Sequence, residues 1–415
     1  MNALLKKNPL KPPLPKHQSR LEEILNEGAR LLNENEIGSI KLADVAAAMG
    51  TTPNALYYYI KNRNDLVAQC YLRSCDRTSQ YLEQAVKTTD APPKQLRAFI
   101  EMSLAGDGDE IAILNNVESL SKSDRELILK KSRSNISALS QIIQEGQKSK
   151  SLKAVNSDLV AYMIISVIDY TIQMCKEDPT SDASFQKNRK DKAKPLANFL
   201  MSGLAEYMDA SFNFPQYFEP ELITNFNPFN VSDSKEQKRR ELTNSAALLF
   251  NQKGVLGASI SDIGKNLGVT KGAIYHHFKD KEELILSCYT RAFDIYDAII
   301  ETAGRSSQKG MEQMMTVFHL NCQAQASKAP PMILSPGQYS LPNSFQGRAD
   351  AIGEAVNNMF KLAESQGEAR SATPVLGATM GAHFFIQRWL AKNSDITGYQ
   401  IADEMTKVIA TGMSI

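Results

Sequence analysis

Gly268-Val269-Thr270-Lys271-Gly272-Ala273-Ile274-Tyr275-His276-His277-Phe278-Lys279-Asp280-Lys281-Glu282-Glu283-Leu284 reads as a tight turn, a short helix ending in aromatics, a charged joint and the start of a longer helix. The same arrangement occurs 218 positions earlier, from Gly50 to Leu66. Aligned without a gap at that offset, residues 44–73 share ten identities with the later stretch, among them Asp44/Asp262, Gly50/Gly268, Tyr57/Tyr275, Cys70/Cys288 and Arg73/Arg291. Composition alone would give roughly two in such a window. One module therefore stands twice in this chain.

Working outward from the later copy, a first helix is predicted over 238–252, with Leu242, Ala246, Leu249 and Phe250 inward. Ser259 and Asp262 have the spacing of a capping box, with Asp in place of Glu. Ile263 and Leu267 face the core, Gly268 turns the chain and Thr270 caps the next helix. In the earlier copy, apolar residues from Leu21 to Leu32 fall at a helical period. A second helix is predicted over 43–49, and Thr51 or Thr52 precedes Pro53, which suits a first helical position. Lys41 stands where the later copy has Ser259, so the capping there differs. Both copies describe a helix–turn–helix.

At 415 residues the chain predicts several domains. No apolar run approaches the roughly 20 residues of a membrane span, and no apolar stretch of the secretory type follows the first lysines. Five scattered cysteines have no metal-ligand spacing and an odd count, which fits a reducing cytoplasm better than a disulfide framework. The net charge of +1 carries no nucleic-acid signal, but residues 235–290 hold nine Lys/Arg against six Asp/Glu. Lys235, Lys238, Arg239 and Arg240 are clustered there, as a phosphate-facing patch or simply as a solvated helix start.

Residues 1–16 mix Lys6, Lys7, Lys11 and Lys16 with four prolines, a basic arm that either follows a DNA groove or is a tail. Further helices are predicted at 64–88, 93–105, 123–149, 157–176 and 193–210, with the polar run 177–192 as a break. In the second half they fall at 282–303, 308–327, 344–366, 372–392 and 398–413. Strand signals are weak, so the fold class is all-α. Residues 212–235 carry six Phe/Tyr (Phe212, Phe214, Tyr217, Phe218, Phe226 and Phe229) and three prolines, and are expected to pack onto the body.

At residues 268–284 the sequence resembles the TetR family of bacterial transcriptional regulators, with 50–66 a looser version. The resemblance covers about 50 residues in each half, and the remaining helices agree only in number and rough length. It implies, for each half, a DNA-binding three-helix domain (17–72 and 236–290) followed by a helical ligand-binding domain (73–211 and 291–415). The family's usual homodimer would here be a single-chain pseudo-dimer, with a dimer of full chains as a further possibility. Its partners would be a double-stranded DNA operator and a small-molecule effector, with no cofactor, no membrane and no catalytic role.

The resemblance also implies which residues reach DNA. In the second module these are Ser259, Thr270, Lys271, Gly272, Tyr275, His276, Lys279 and Lys281. Thr270 can cap and meet a phosphate, Lys271 can donate to guanine or phosphate, and Gly272 allows close backbone approach. In the first module they are Thr51, Thr52, Pro53, Asn54, Tyr57, Tyr58, Lys61 and Arg63. Asn54 in place of Gly272 can pair with adenine, whereas Pro53 in place of Lys271 loses a donor. His276-His277 is not read as a metal pair, since adjacent helical residues point about 100° apart.

Effector candidates are Tyr162, Asp169, Tyr170 and Met174 in the first half, and Phe318, His319, Cys322, His383 and Gln387 in the second. Aromatic and Met stripes at this spacing also read as core. Asp169 and His383, polar groups in apolar helices, are either satisfied by neighbours or orient a ligand. The rival to a two-reader regulator is a sensor or interaction scaffold in which only the second module binds DNA.

Overall fold

The computed structural model describes residues 16–34, 40–106, 110–114, 117, 120–175, 185–206, 212–217, 231–255, 258–333, 343–370, 373–390, 393 and 395–415. Among these the chain is helical, and the two β-bridges, Leu152 with Ser414 and Ala205 with Ala369, are isolated. The expected basic arm lies outside the described residues, except for Lys16 at the start of a helix.

The first half runs α1 (Lys16–Glu34), α2 (Leu42–Ala48), α3 (Pro53–Leu56), α4 (Arg63–Thr88), α5 (Pro92–Ala105), α6 (Lys122–Lys148), α7 (Ser157–Met174) and α8 (Phe185–Ser202). The second runs α9 (Val231–Lys253), α10 (Ile260–Leu267), α11 (Lys271–Tyr275), α12 (Lys281–Ser306), α13 (Gly310–Gln325), α14 (Asn343–Ser365), a 3₁₀ segment (Thr373–His383) with α15 (Ile386–Leu390), and α16 (Gly398–Thr411). Both α4 and α12 have 26 residues and start 218 positions apart.

Equivalent side chains make equivalent contacts in the two halves. Asn33 Nδ2 donates to Ile111 O at 2.7 Å while its Oδ1 accepts from Ile113 N at 2.9 Å. Asn251, 218 positions on, donates to Pro331 O and accepts from Ile333 N, both at 2.8 Å. The Cys70 thiol meets Leu25 O and the Cys288 thiol meets Thr243 O, each at 3.5 Å. Buried Arg73 and Arg291 each tie the long α4 or α12 helix to a loop carbonyl, Glu110 O at 2.8 Å and Ala329 O at 2.7 Å.

The halves meet along α7. Every fourth residue on one face of α7 touches the 373–390 stretch running the other way. Trp389 Nε1 donates to Asp158 Oδ2 at 3.0 Å, Tyr162 stacks on Phe385 at 5.6 Å, and Ser166 Oγ donates to Gly381 O at 2.6 Å. Tyr170 sets its ring edge-on to Phe384 at 5.2 Å, and Met174 packs on Gly377. A Cβ on Gly377 or Gly381 would overlap Met174 or Tyr170, so these two glycines set how closely the segments approach. Helices α8 and α16 meet at their C-termini, where Gly203 (φ 74°) and Gly412 (φ 68°) lie backbone to backbone. Leu204 N and Met413 N then donate across, to Ile409 O and Leu200 O, both at 3.0 Å.

Three expectations need correcting. Helix α8 begins at Phe185, inside the polar run read as a break, and ends at Ser202 rather than 210. Its polar start still contributes Arg189, buried against Leu104 O at 2.8 Å. The stretch expected as one helix over 372–392 is 3₁₀ up to His383, with a short α-turn after it. Helix α9 starts at Val231, which shortens the connector expected over 212–235.

Of that connector, residues 212–217 are described and pack onto the second half as expected; Phe218, Phe226 and Phe229 lie outside the described residues. Phe214 stacks on His319 with centroids 4.3 Å apart. Gln323 holds the adjoining backbone at both ends, accepting from Tyr217 N and donating to Pro215 O, each at 3.0 Å. Tyr399 Oη donates to Phe214 O at 3.0 Å.

Candidate nucleic-acid interface

The second module is assembled by caps. Ser259 Oγ accepts from Asp262 N at 3.1 Å and the Asp262 carboxylate accepts from Ser259 N at 3.1 Å, completing the expected box. Those Ser259 hydrogen bonds hold the Asp262 carboxyl below the usual carboxylate range. Gly268 takes the left-handed conformation (φ 66°) that ends α10. Thr270 Oγ1 then accepts from Ala273 N at 3.2 Å and starts α11. Ile274 and Phe278 are buried anchors, which leaves Thr270, Lys271, Gly272, Tyr275, His276 and Lys279 on one exposed surface. The Lys271 ammonium sits 5.5 Å from the Tyr275 ring centroid, a cation–π contact that orients both.

A clamp beneath that surface was not legible in the sequence. Arg239 lies 4.2 Å over the Phe278 ring, donates to His277 O at 2.6 Å and pairs with Glu283 at 3.0 Å. Glu283 also accepts from Lys279 N at 2.7 Å, and its carboxyl is held low by that backbone bond first and by Arg239 second. The imidazole of His277 is kept neutral-prone by desolvation and by His276, Lys235, Arg239 and Lys238 around it. The basic cluster noted at the start of this module thus contributes at least one structural cation.

Two candidates are less available than expected. The Ser259 hydroxyl serves the capping box. Lys281 is half-buried, with its ammonium on Val255 O and 5.9 Å from the Phe250 ring.

The first module repeats the frame with other chemistry. Gly50 (φ 61°) turns the chain, Thr52 is the N-cap of α3 without a side-chain cap bond, and Pro53 opens the helix. Asp44 accepts from Lys41 N at 2.8 Å, which is half of the later module's box. Thr52, Pro53, Asn54, Tyr57, Tyr58 and Lys61 are exposed, Tyr58 at 86% and Tyr57 at 56%. Thr51 and Arg63 are half-buried. Tyr59 packs on His17 at 4.6 Å rather than facing out, and Ile60 is core.

The effector candidates are not brought into one place. Tyr162, Tyr170 and Met174 belong to the seam between halves, and Asp169 is half-buried on α7. His319 is enclosed by partners: Asp403 Oδ1 at 2.9 Å, Gln323 Nε2 at 2.9 Å and the Phe214 ring. It anchors the connector, and burial lowers its pKa. Phe318 instead meets His383 edge-to-face at 6.5 Å, and Cys322 is buried on the same helix. Gln387 Nε2 donates to Gln325 O and to Ser327 O, the latter at 3.2 Å.

Each half carries a three-helix unit with an exposed third helix, side-chain-capped only in the second, an arrangement of helix–turn–helix type. Residues 242–288 match the sequence profile of "Bacterial regulatory proteins, tetR family". The Transposon Tn10 TetC protein of Escherichia coli is 46% identical over 63 residues, 15% of this chain and 32% of that protein. The HTH-type transcriptional regulator AcrR of Shigella flexneri is 47% identical over 49 residues, 12% of this chain and 23% of that protein. The matched stretches thus span a third or less of these relatives' lengths. The structure of apo AibR superposes on 41% of this chain and 96% of its own, at 22% identity and a TM-score of 0.35.

Proposed function

We propose that the chain is a ligand-responsive, sequence-specific transcriptional repressor whose two unlike helix–turn–helix modules read one operator as a single-chain pseudo-dimer. The repeated Asn33 and Asn251 contacts carry this reading, because they place the same loop against the same helix in both halves. Support also comes from the α7 seam and the Gly203–Gly412 junction, which join the halves as two protomers would be joined. Two recognition helices of such a unit meet successive major grooves about 34–36 Å apart. Since Lys271-Gly272 faces one half-site and Pro53-Asn54 the other, the operator is an imperfect palindrome. An effector acts by binding one arrangement of the halves more tightly than the other. The test is a mobility-shift titration on DNA beside the protein's own gene: nanomolar binding that weakens steeply with salt supports it. Salt-independent binding, or equal binding to any fragment, counts against it.

A narrower reading keeps only the second module on DNA. The uncapped Thr52, the lost donor at Pro53 and the half-buried Arg63 favour it. Substituting Lys271 and Asn54 separately tells the two apart.

A further inference from the structure

Helix α13 is buried on nearly every side, and one of its faces carries two carboxamides. Phe318, Asn321, Cys322 and Gln325 share that face by helical spacing, and His383 and Gln387 lie opposite. Three of these side chains keep an unsatisfied buried atom. Asn321 uses its Nδ2 on Val317 O at 2.9 Å and Gln325 its Nε2 on Pro331 O at 3.2 Å. Asn321 Oδ1, Gln325 Oε1 and His383 Nδ1 have no hydrogen-bond partner among the described residues, and neither does Ser327 Oγ. Asn321, Gln325 and His383 are 5%, 1% and 2% exposed. A buried polar atom without a partner costs about 1–3 kcal/mol, so four around one seam is an expensive arrangement for packing alone.

The corresponding place in the first half is built otherwise. At the 218-residue offset, Ile100, Ser103 and Leu104 stand for Phe318, Asn321 and Cys322. Counted from the start of each segment, Val167 of α7 stands for His383. Ile100, Leu104 and Val167 are fully buried aliphatics, and Arg189 covers Leu104 O and Ser103 O. At these first-half positions Ser103 Oγ alone is a buried polar atom without a hydrogen-bond partner among the described residues, against the four in the second half.

We infer that the seam between α13 and 376–390 is the effector site, that it takes a small neutral or cationic molecule carrying hydrogen-bond donors, and that one molecule binds per chain. This rests on the ligand-responsive reading above. The ligand class follows from the atoms: two carboxamide oxygens accept only, and the imidazole and hydroxyl can accept as well. Among the described side chains of α13 and 376–390 none is cationic, and the nearby Arg291 guanidinium is turned to Pro330 and Ala329 carbonyls. A carboxylate or phosphate would meet these acceptors with oxygens that themselves only accept. Phe318 suits an apolar body.

The test uses the full chain with isotope-labelled histidine and three probes sharing a ring: benzylamine, benzyl alcohol and benzoate. Benzylamine and benzyl alcohol are expected to shift the His383 imidazole resonance with one titrating site, and benzoate to leave it in place. Asn321→Leu is expected to weaken probe binding about tenfold, the loss of one hydrogen bond, while Ser103→Ala in the first half leaves it unchanged. Thermal melts add a readout that needs no probe: His383→Phe is expected to be at least as stable as the native chain at neutral pH. The inference is overturned if no probe moves the His383 signal, as when a trapped water satisfies the site. Benzoate binding equally well, equal effects of Asn321→Leu and Ser103→Ala, or a destabilised His383→Phe also overturn it. Probe binding that leaves operator affinity untouched sinks the ligand-responsive reading instead, with the site intact.

Discussion

Asn33 and Asn251 stand 218 residues apart and close the same loop onto the same helix, each with one donated and one accepted backbone bond. Both pairs join groups in a largely buried setting, so losing them leaves backbone donors and acceptors unpaired. Asn33→Ala and Asn251→Ala are each expected to destabilise by about 1–3 kcal/mol. Chemical denaturation checks this. A cost for one and none for the other would show that the two loops are held differently.

The seam predicts a steric effect. In Gly381→Ala the added methyl overlaps Tyr170, and Gly381 O also accepts from Ser166. Overpacking of this kind typically costs about 1–3 kcal/mol. Operator affinity should fall with it if the seam sets the distance between readers. Gly347→Ala, with nothing within 4 Å of the new methyl, is the control. Unchanged DNA binding in a destabilised Gly381→Ala would separate the seam from the readers.

His383 makes stability depend on pH. Burial pushes its pKa down to about 4, while an unfolded histidine titrates near 6.5. Between those values the unfolded chain binds a proton that the folded chain refuses. The contribution is therefore complete above pH ~6.5 and is lost as pH falls toward ~4, about 3 kcal/mol in all. Melting curves of the native chain and His383→Phe should converge at neutral pH and separate in acid, the variant being the more stable. Parallel acid losses would place the titration elsewhere.

The caps predict a difference between modules. Thr270→Ala removes the hydroxyl that holds Ala273 N and is expected to cost about 1 kcal/mol. Thr52 makes no such bond, so Thr52→Ala should leave stability nearly unchanged and act, if at all, on DNA affinity. Paired melts and mobility shifts of the two variants check this. An equal stability loss would mean that Thr52 caps after all.

Much of the frame was legible because local rules and the fold agree. The turns at Gly50 and Gly268, Pro53 at a helix start and the Ser259–Asp262 box are short-range chemistry, and each stands where its spacing placed it. What escaped depends on distant contacts. Helix α8 starts within a polar run because Arg189 finds Leu104 O and Ser103 O, 85 and 86 residues away. The helical pattern of 372–392 gave no sign of the 3₁₀ segment, whose Gly377 and Gly381 pack tightly on α7. His319 read as a ligand candidate because nothing local announces Phe214 and Asp403 around it. Asn33 and Asn251 were within reach: extending the 218-residue comparison beyond 44–73 pairs them directly.

The most direct test of two readers on one chain is the stoichiometry and footprint of the full protein on its operator, native and with Asn54→Ala or Lys271→Ala. One chain per operator is expected, protecting two unlike half-sites, with each substitution weakening binding by about 1–3 kcal/mol and exposing its own half-site. Two chains on one symmetric site, or a footprint that Asn54→Ala leaves whole, would contradict it.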